Sequence, residues 1–300
     1  RVVLGGMLPS ASAKPAPDAN PIWGIVLLFV ATVGLPFALL ASTAPLLQAW
    51  YGKLHRREPY VLYSLSNVGS LLALVTYPLF FERIFRMRQQ AAIWAALFFV
   101  YAMFVAACAW RAMREQVEPR AVRGERVPWD LRFMWLALAA CPSAMFLAMT
   151  SHLTQDVAPI PLLWALPLAI YLLSFIIVFA WPRAYLRAVW HPLFVVTTFC
   201  AVAGLFAGVD IAVGKQLAIF LAWLFVCCMI CHGELVRLLP GESQLTSFYL
   251  TIATGGAVGG IFVAIIAPFL FSGYWELHVS GIAPPVWAAR LEDGRWIAAR

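Results

Sequence analysis

From residue 22 onward the chain alternates between apolar runs of about 18–25 residues, the length that crosses a bilayer as a helix, and short connections that carry nearly all of its charge. The pattern predicts eight spans, over residues 22–50, 60–81, 91–110, 131–149, 159–181, 191–209, 215–232 and 246–271. The first is long and contains Pro36 and Pro45, so a kink or an early end is expected there. Ahead of it, residues 9–21 set Pro9, Pro15, Pro17 and Pro21 among Ser, Ala and Asp and read as a linker. Val2-Val3-Leu4-Gly5-Gly6-Met7-Leu8 reads as the tail of an earlier apolar helix, and a chain cut at both ends is expected. Residues 273–300 are assigned no structure.

Composition supports the span reading. The 300 residues are 63% hydrophobic and only 12% charged, with a mean hydropathy of +0.84, whereas soluble domains are about 25% charged. The expected fold class is an all-α membrane protein, a polytopic bundle with the lipid bilayer as its surroundings. The formal charge of +7 sits in loops, so it sets topology and does not point to nucleic acid. Loops after the odd-numbered spans hold Lys53, Arg56 and Arg57, then the arginines from Arg111 to Arg132, then Arg183 and Arg187, then Arg237. The other loops hold Arg83, Arg86, Arg88 and Lys215, of which the three arginines run mildly against the trend. The positive-inside rule puts the first set in the cytoplasm. Residues 111–130 are the longest charged connection, a cytoplasmic loop closing on Pro128-Trp129 with the indole at the headgroup level. All six cysteines (Cys108, Cys141, Cys200, Cys227, Cys228 and Cys231) lie in or at the ends of apolar runs, where thiols act as small hydrophobes.

Two spans look related. Val68-Gly69 recurs as Val258-Gly259, Pro78 as Pro268 and Phe81 as Phe271, all at one spacing, and Ser66 and Ser70 meet Gly256 and Gly260. The second and eighth spans are six apart and run in the same direction, so the repeat is parallel. Two parallel six-helix halves joined by a cytoplasmic loop is the major facilitator arrangement. The domains are then a first half over 22–110, the loop 111–130 and a second half over 131–272, incomplete at both ends.

Several runs carry a family resemblance. They are Pro45-Leu46-Leu47-Gln48-Ala49-Trp50 with Pro59-Tyr60 and Ser66-Asn67-Val68-Gly69-Ser70; Thr150-Ser151-His152-Leu153-Thr154-Gln155-Asp156-Val157-Ala158-Pro159 with Leu163-Trp164-Ala165-Leu166-Pro167; and Cys231-His232-Gly233-Glu234-Leu235 with Leu245-Thr246-Ser247-Phe248-Tyr249 and Gly255-Gly256-Ala257-Val258-Gly259-Gly260. Together they resemble the membrane region of fused major-facilitator/spermidine-synthase-like bacterial proteins, over roughly residues 20–272. The resemblance implies a bacterial inner-membrane domain that precedes a soluble aminopropyltransferase-like part. No Gly-rich nucleotide loop after a strand occurs in the 300 residues, and Glu276-Leu277-His278-Val279-Ser280-Gly281 departs from the apolar helix expected next.

Four residues stand as candidate substrate contacts: Asn67, His152, Gln155 and Asp156. Asn67 sits mid-span beside Ser64, Ser66 and Ser70, and an amide in hydrocarbon needs a partner, either a substrate or a neighbouring helix. His152, Gln155 and Asp156 fall between the fourth and fifth spans, in an outer loop without Lys or Arg. If residues 150–156 are helical, His152 and Asp156 share a face and form an imidazole–carboxylate pair able to hold a cation or relay a proton. Asp156 serves equally as a cap for a helix starting near Pro159. Cys227, Cys228, Cys231 and His232 are zinc-type ligands at helical spacing. Cys227 and Cys228 point to different sides, so at most three converge, and no metal or other cofactor is expected. His232 and Glu234 read as interfacial groups, Glu234 pairing with Arg237. Gly255/Gly259 and Gly256/Gly260 are packing pairs.

No Ser/His/Asp set and no carboxylate pair beside a nucleophile is present, so catalysis is not assigned to these residues. The expected function is binding or transport of a small, cationic, polyamine-related substrate. The alternative is a non-transporting anchor or scaffold for a soluble spermidine-synthase-like domain or subunit. The paucity of charge inside the spans favours the alternative, because proton-coupled transporters bury ionisable groups at mid-membrane.

Overall fold

The computed structural model describes residues 21–30, 34–55, 60–114, 127–154, 163–207, 211–241 and 244–271, and all regular structure among them is helical. In chain order these are α1 (Pro21–Phe29), α2 (Leu35–His55), α3 (Tyr60–Thr76), α4 (Met87–Arg114), α5 (Trp129–His152), α6 (Ala165–Ala180), α7 (Arg187–Ala207), α8 (Val213–Arg237) and α9 (Leu245–Ile261). Six stretches among the described residues are long and apolar enough to cross a membrane: Leu62–Ile84, Met87–Arg114, Trp129–His152, Arg187–Phe206, Val213–Arg237 and Ser247–Leu270. The chain therefore has the build of a helical membrane protein. Over the expected first span the described residues form α1 and α2, with π-helical Val30 and Gly34 at their facing ends, and Pro36 is the second residue of α2. The expected fifth span has α6 as its described helix, 16 residues long, or about 24 Å.

Proline shapes the ends of α3 and α9. α3 runs on through a π-turn, Tyr77–Phe81, that contains Pro78. α9 runs on through a π-turn, Phe262–Ile266, followed by Ala267–Leu270 with Pro268. Proline can neither donate to the fourth residue back nor tolerate its carbonyl, and a wider turn is one way for the helix to continue past it. Both helices then stop at an extended phenylalanine, Phe85 and Phe271.

By their contacts the residues fall into two compact units, Arg1–Pro59 with Val75–Arg120, and Tyr60–Leu74 with Ala121–Arg300. In the first unit α2 packs on α4, with the Thr43 hydroxyl hydrogen-bonded to the Tyr101 phenol. The turn ahead of α4 is fixed by two glutamines. Gln89 Oε1 accepts from the Arg86 backbone N–H at 2.9 Å, and Gln90 Nε2 donates to the Phe85 carbonyl at 2.8 Å. Phe99 and Phe104 on α4 are exposed, as suits a helix solvated by lipid.

The second unit is built on α8, which packs against α5, α6 and α7, while α5 packs against α9. The α5–α9 contact is closed by glycine. A methyl on Gly255 would lie 2.5 Å from the Leu136 carbonyl oxygen, and one on Gly259 would lie 2.3 Å from that of Ala140. Only a hydrogen fits, so the two backbones touch. Ser143 Oγ donates across the contact to the Gly256 carbonyl at 2.9 Å. Of the two expected glycine pairs only Gly255/Gly259 does this: Gly256 faces open space and Gly260 meets only the tip of Leu147 at 3.6 Å. The Tyr60–Leu74 stretch of α3 joins this unit through Tyr63, whose ring lies 5.6 Å from Phe175, 5.1 Å from Phe179 and 5.1 Å from Tyr249.

Candidate functional site

Near its end α8 carries Cys231-His232-Gly233-Glu234, and each of the last three meets a different neighbour. Successive residues on a helix step round by about 100°. His232 therefore faces α6, Glu234 faces the start of α7, and Gly233 lies between them.

His232 is completely buried. Its Nδ1 is 2.9 Å from Ser174 Oγ, and that hydroxyl donates to its own helix at the Tyr171 carbonyl, 2.8 Å away. A serine has one proton to give. With that proton on the Tyr171 carbonyl, the bond from His232 runs as Nδ1–H donating to Ser174 Oγ, and Nε2 is left as a bare acceptor. The opposite arrangement forfeits the carbonyl bond and strands a buried N–H instead. Nε2 has no hydrogen-bond partner among the described residues, and a buried acceptor left so costs about 1–3 kcal/mol. The ring stacks on Phe175 at 3.6 Å between centroids and meets Tyr171 edge-on at 5.2 Å. Tyr171 and Tyr63 flank Phe175 at 5.2 Å and 5.6 Å.

Glu234 is 1% exposed. Its carboxylate receives Arg187 in a two-point fork, Nε on Oε1 at 2.6 Å and Nη2 on Oε2 at 2.6 Å. The Tyr185 hydroxyl adds a third bond to Oε1 at 2.7 Å. Arg237, the partner expected from spacing, lies farther off at 3.9 Å. Both His232 and Glu234 are thus buried against protein, within the last two turns of α8. The Pro182–Ala184 turn between α6 and α7 delivers Tyr185 and Arg187, and Gly233 makes room for them: a methyl there would sit 2.3 Å from the Tyr185 ring. Burial, and then the Glu234 charge it donates to, push the Tyr185 phenol far above its ordinary value, so it remains a donor.

Of the four expected contacts, the two that lie among the described residues, Asn67 and His152, are not drawn into this arrangement. Asn67 is half-buried and donates to the carbonyl of Tyr63, one turn back on its own helix, at 2.9 Å. His152 is buried at the far end of α5, its ring edge-on to Phe220 of α8 at 4.9 Å. Phe220 and His232 are twelve positions apart on α8, about 18 Å along the axis. Residues 150–152 are helical and 153–154 continue as a π-turn, while Gln155 and Asp156 lie outside the described residues. Cys141, Cys227, Cys228 and Cys231 are buried, and among the described residues no three His, Cys, Asp or Glu side chains come together as metal ligands. Ser174, Tyr171, Tyr185 and Arg187 were not singled out from sequence, since nothing local marks them. The available signal was a histidine and a glutamate in an otherwise apolar helix, straddling a glycine.

Comparison with protein-family models, with curated proteins and with solved structures finds no match to the chain.

Proposed function

We propose that the chain is the membrane region of a bacterial inner-membrane protein of major-facilitator-like, parallel-repeat design, and that its second unit binds or carries a small cationic solute of the polyamine class. The observation that carries the ligand reading is the burial of two ionisable side chains, His232 and Glu234, on one apolar helix. Ionisable groups inside a membrane bundle are expensive and default to a functional role. Glu234 already grips a guanidinium, and His232 keeps an acceptor free among aromatic rings. Support for the repeat comes from α3 and α9, of 17 residues each, which both run on through a π-turn, one containing Pro78 and the other ending two residues before Pro268. The distribution of Lys and Arg supports residues 111–130 as cytoplasmic.

The test is thermal denaturation of the purified protein in detergent with putrescine or spermidine, set against equal ionic strength of sodium chloride. Saturating ligand at a hundred times its Kd stabilises by about 2.7 kcal/mol, so binding raises the Tm with amine concentration. Uptake of labelled amine into proteoliposomes then separates transport from binding.

A second reading, the non-transporting scaffold for a soluble aminopropyltransferase-like domain or subunit, is favoured by another observation. Asn67, Ser70, Thr150, Thr197, Thr251 and Thr254 all bond back to their own helices, which leaves these groups with structural roles. A folded protein that no amine stabilises supports the scaffold and overturns the cationic-solute reading.

A further inference from the structure

We infer that Nε2 of His232 is the docking atom for a protonated amine that still carries an N–H: a primary or secondary ammonium group, and not a quaternary one. The inference rests on the reading of the second unit as a cation-binding bundle and names its site and ligand chemistry.

Two features fix the class. The first is the tautomer. Ser174 Oγ spends its single proton on the Tyr171 carbonyl, so His232 gives its own from Nδ1 and presents Nε2 as a pure acceptor. A ligand that satisfies it brings a donor. The second is the wall. The imidazole is stacked on Phe175 and edged by Tyr171, with Tyr63 beyond. Aromatic faces attract cations, and the attraction is strongest where water is excluded. A cation with a donor proton fits both demands; a neutral alcohol answers only the first, and a trimethylammonium only the second. The carboxylate two residues on takes no part. Glu234 is held by Arg187 and Tyr185, so in this arrangement it does not compete for the ligand. Nε2 is shut off from solvent here, so the amine's entry requires a local opening of this core.

The experiment uses the full chain in detergent or nanodiscs and three probes with one alkyl chain, n-butylammonium, n-butanol and butyltrimethylammonium, with 3,3-dimethylbutanol as a neutral control for the bulk of the trimethyl head. Butylammonium is expected to raise the Tm in a saturable way, butanol much less, and butyltrimethylammonium not at all. His232→Asn keeps a donor at the ring's δ position for Ser174 and deletes the ε acceptor, so it weakens butylammonium binding about 10- to 100-fold, as loss of a hydrogen bond to a charged group does. His232→Gln restores an acceptor near the ε position and recovers part of the affinity. Equal responses to all three probes, or full affinity in His232→Asn, overturn the inference. Should His232→Asn fail to fold, ¹⁵N NMR of the wild-type side chain decides: Nε2 starts as the unprotonated nitrogen and its resonance moves on adding butylammonium. A resonance that stays put, as with a water on Nε2 or an amine bound elsewhere, overturns it too. Spermidine binding that survives His232→Asn sinks this site and leaves the proposed function standing. Butylammonium binding at His232 without any response to putrescine or spermidine does the reverse for the polyamine class.

Discussion

Replacing Gly259 by alanine tests the packing on which the second unit rests. The added Cβ meets the Ala140 carbonyl oxygen at 2.3 Å, the Ala144 nitrogen at 3.0 Å and Ser143 Cβ at 3.0 Å. Two of these atoms belong to backbone, so no side chain can swing aside. Ordinary contact begins at 3.4 Å, and α5 and α9 must move apart by about 1 Å, as far as the shortfall at Ala140. Overpacking of this kind costs about 1–3 kcal/mol. The same separation stretches the Ser143–Gly256 bond of 2.9 Å, and an interhelical hydrogen bond in a membrane protein contributes about 0.6 kcal/mol, at most about 1.7. The expected loss is therefore about 2–4 kcal/mol, against which alanine's better helix propensity returns up to about 1 kcal/mol. Gly256→Ala is the internal control: it lies three residues earlier on the same helix, a methyl there meets nothing within 4 Å, and the same propensity gain applies without a clash. Denaturation of both variants in the same detergent, read by tryptophan fluorescence, should show Gly259→Ala well below wild type and Gly256→Ala equal or above. Equal stability of the two, or a greater loss at Gly256, would refute the assignment of the contact to the Gly255/Gly259 face.

Gly233→Ala drives a methyl to 2.3 Å from the Tyr185 ring. It should destabilise by about 1–3 kcal/mol, and Tyr185→Ala in the same chain should relieve part of the loss; additive losses would argue against the contact. Tyr185 also gives a pH signature. Its folded proton is held far above the ordinary value near 10, so the stability it contributes is complete below about pH 10 and falls as the pH rises beyond it, where the unfolded chain has already lost the proton. From about pH 9 to about pH 11 wild type should lose more stability than Tyr185→Phe, and parallel curves would count against that role.

Much of the helical layout is readable from hydropathy alone. The expected limits 60–81 and 131–149 differ little from α3 with its π-turn and from α5. What hydropathy does not hold is rotational phase and chain breaks. Gly255/Gly259 and Gly256/Gly260 are equal as spacings, and the choice between them is made by neighbours. Phe248, Ile252, Gly255 and Gly259 form one buried stripe at intervals of four, three and four, and the second pair falls one position off it. His232 and Glu234 stand near a span's end, where local sequence suggests an interfacial role and names only Arg237 as a partner. Yet α8 is apolar on every side, and such a helix belongs in the interior of a bundle, so its polar residues needed internal partners. Those partners lie 47 to 58 positions away in sequence, beyond the reach of any local pattern.

Opening at His232 by a shift of α6 would couple the two polar stations on α8. α6 carries Ser174 against His232, α7 carries Arg187 against Glu234, and only residues 181–186 join the two helices. A shift of α6 that uncovers Nε2 pulls on a connection whose far end is pinned by the Arg187–Glu234 fork. The strength of that fork then sets how readily His232 is exposed. Arg187→Gln removes the fork, and Glu234, 1% exposed, is left with Tyr185 and a distant Arg237. Breaking a buried pair in this way costs about 3–5 kcal/mol. The loss should be felt first near His232, and the chain carries its own reporter there: Cys228 and Cys231 are buried in the same turns of α8. Under conditions where both proteins remain folded, maleimide should label these thiols faster in Arg187→Gln than in wild type, with labelling of the exposed Cys108 and Cys200 unchanged. Equal rates at all sites would mean that the fork and the histidine are independent, and that opening at His232 is not controlled from the start of α7.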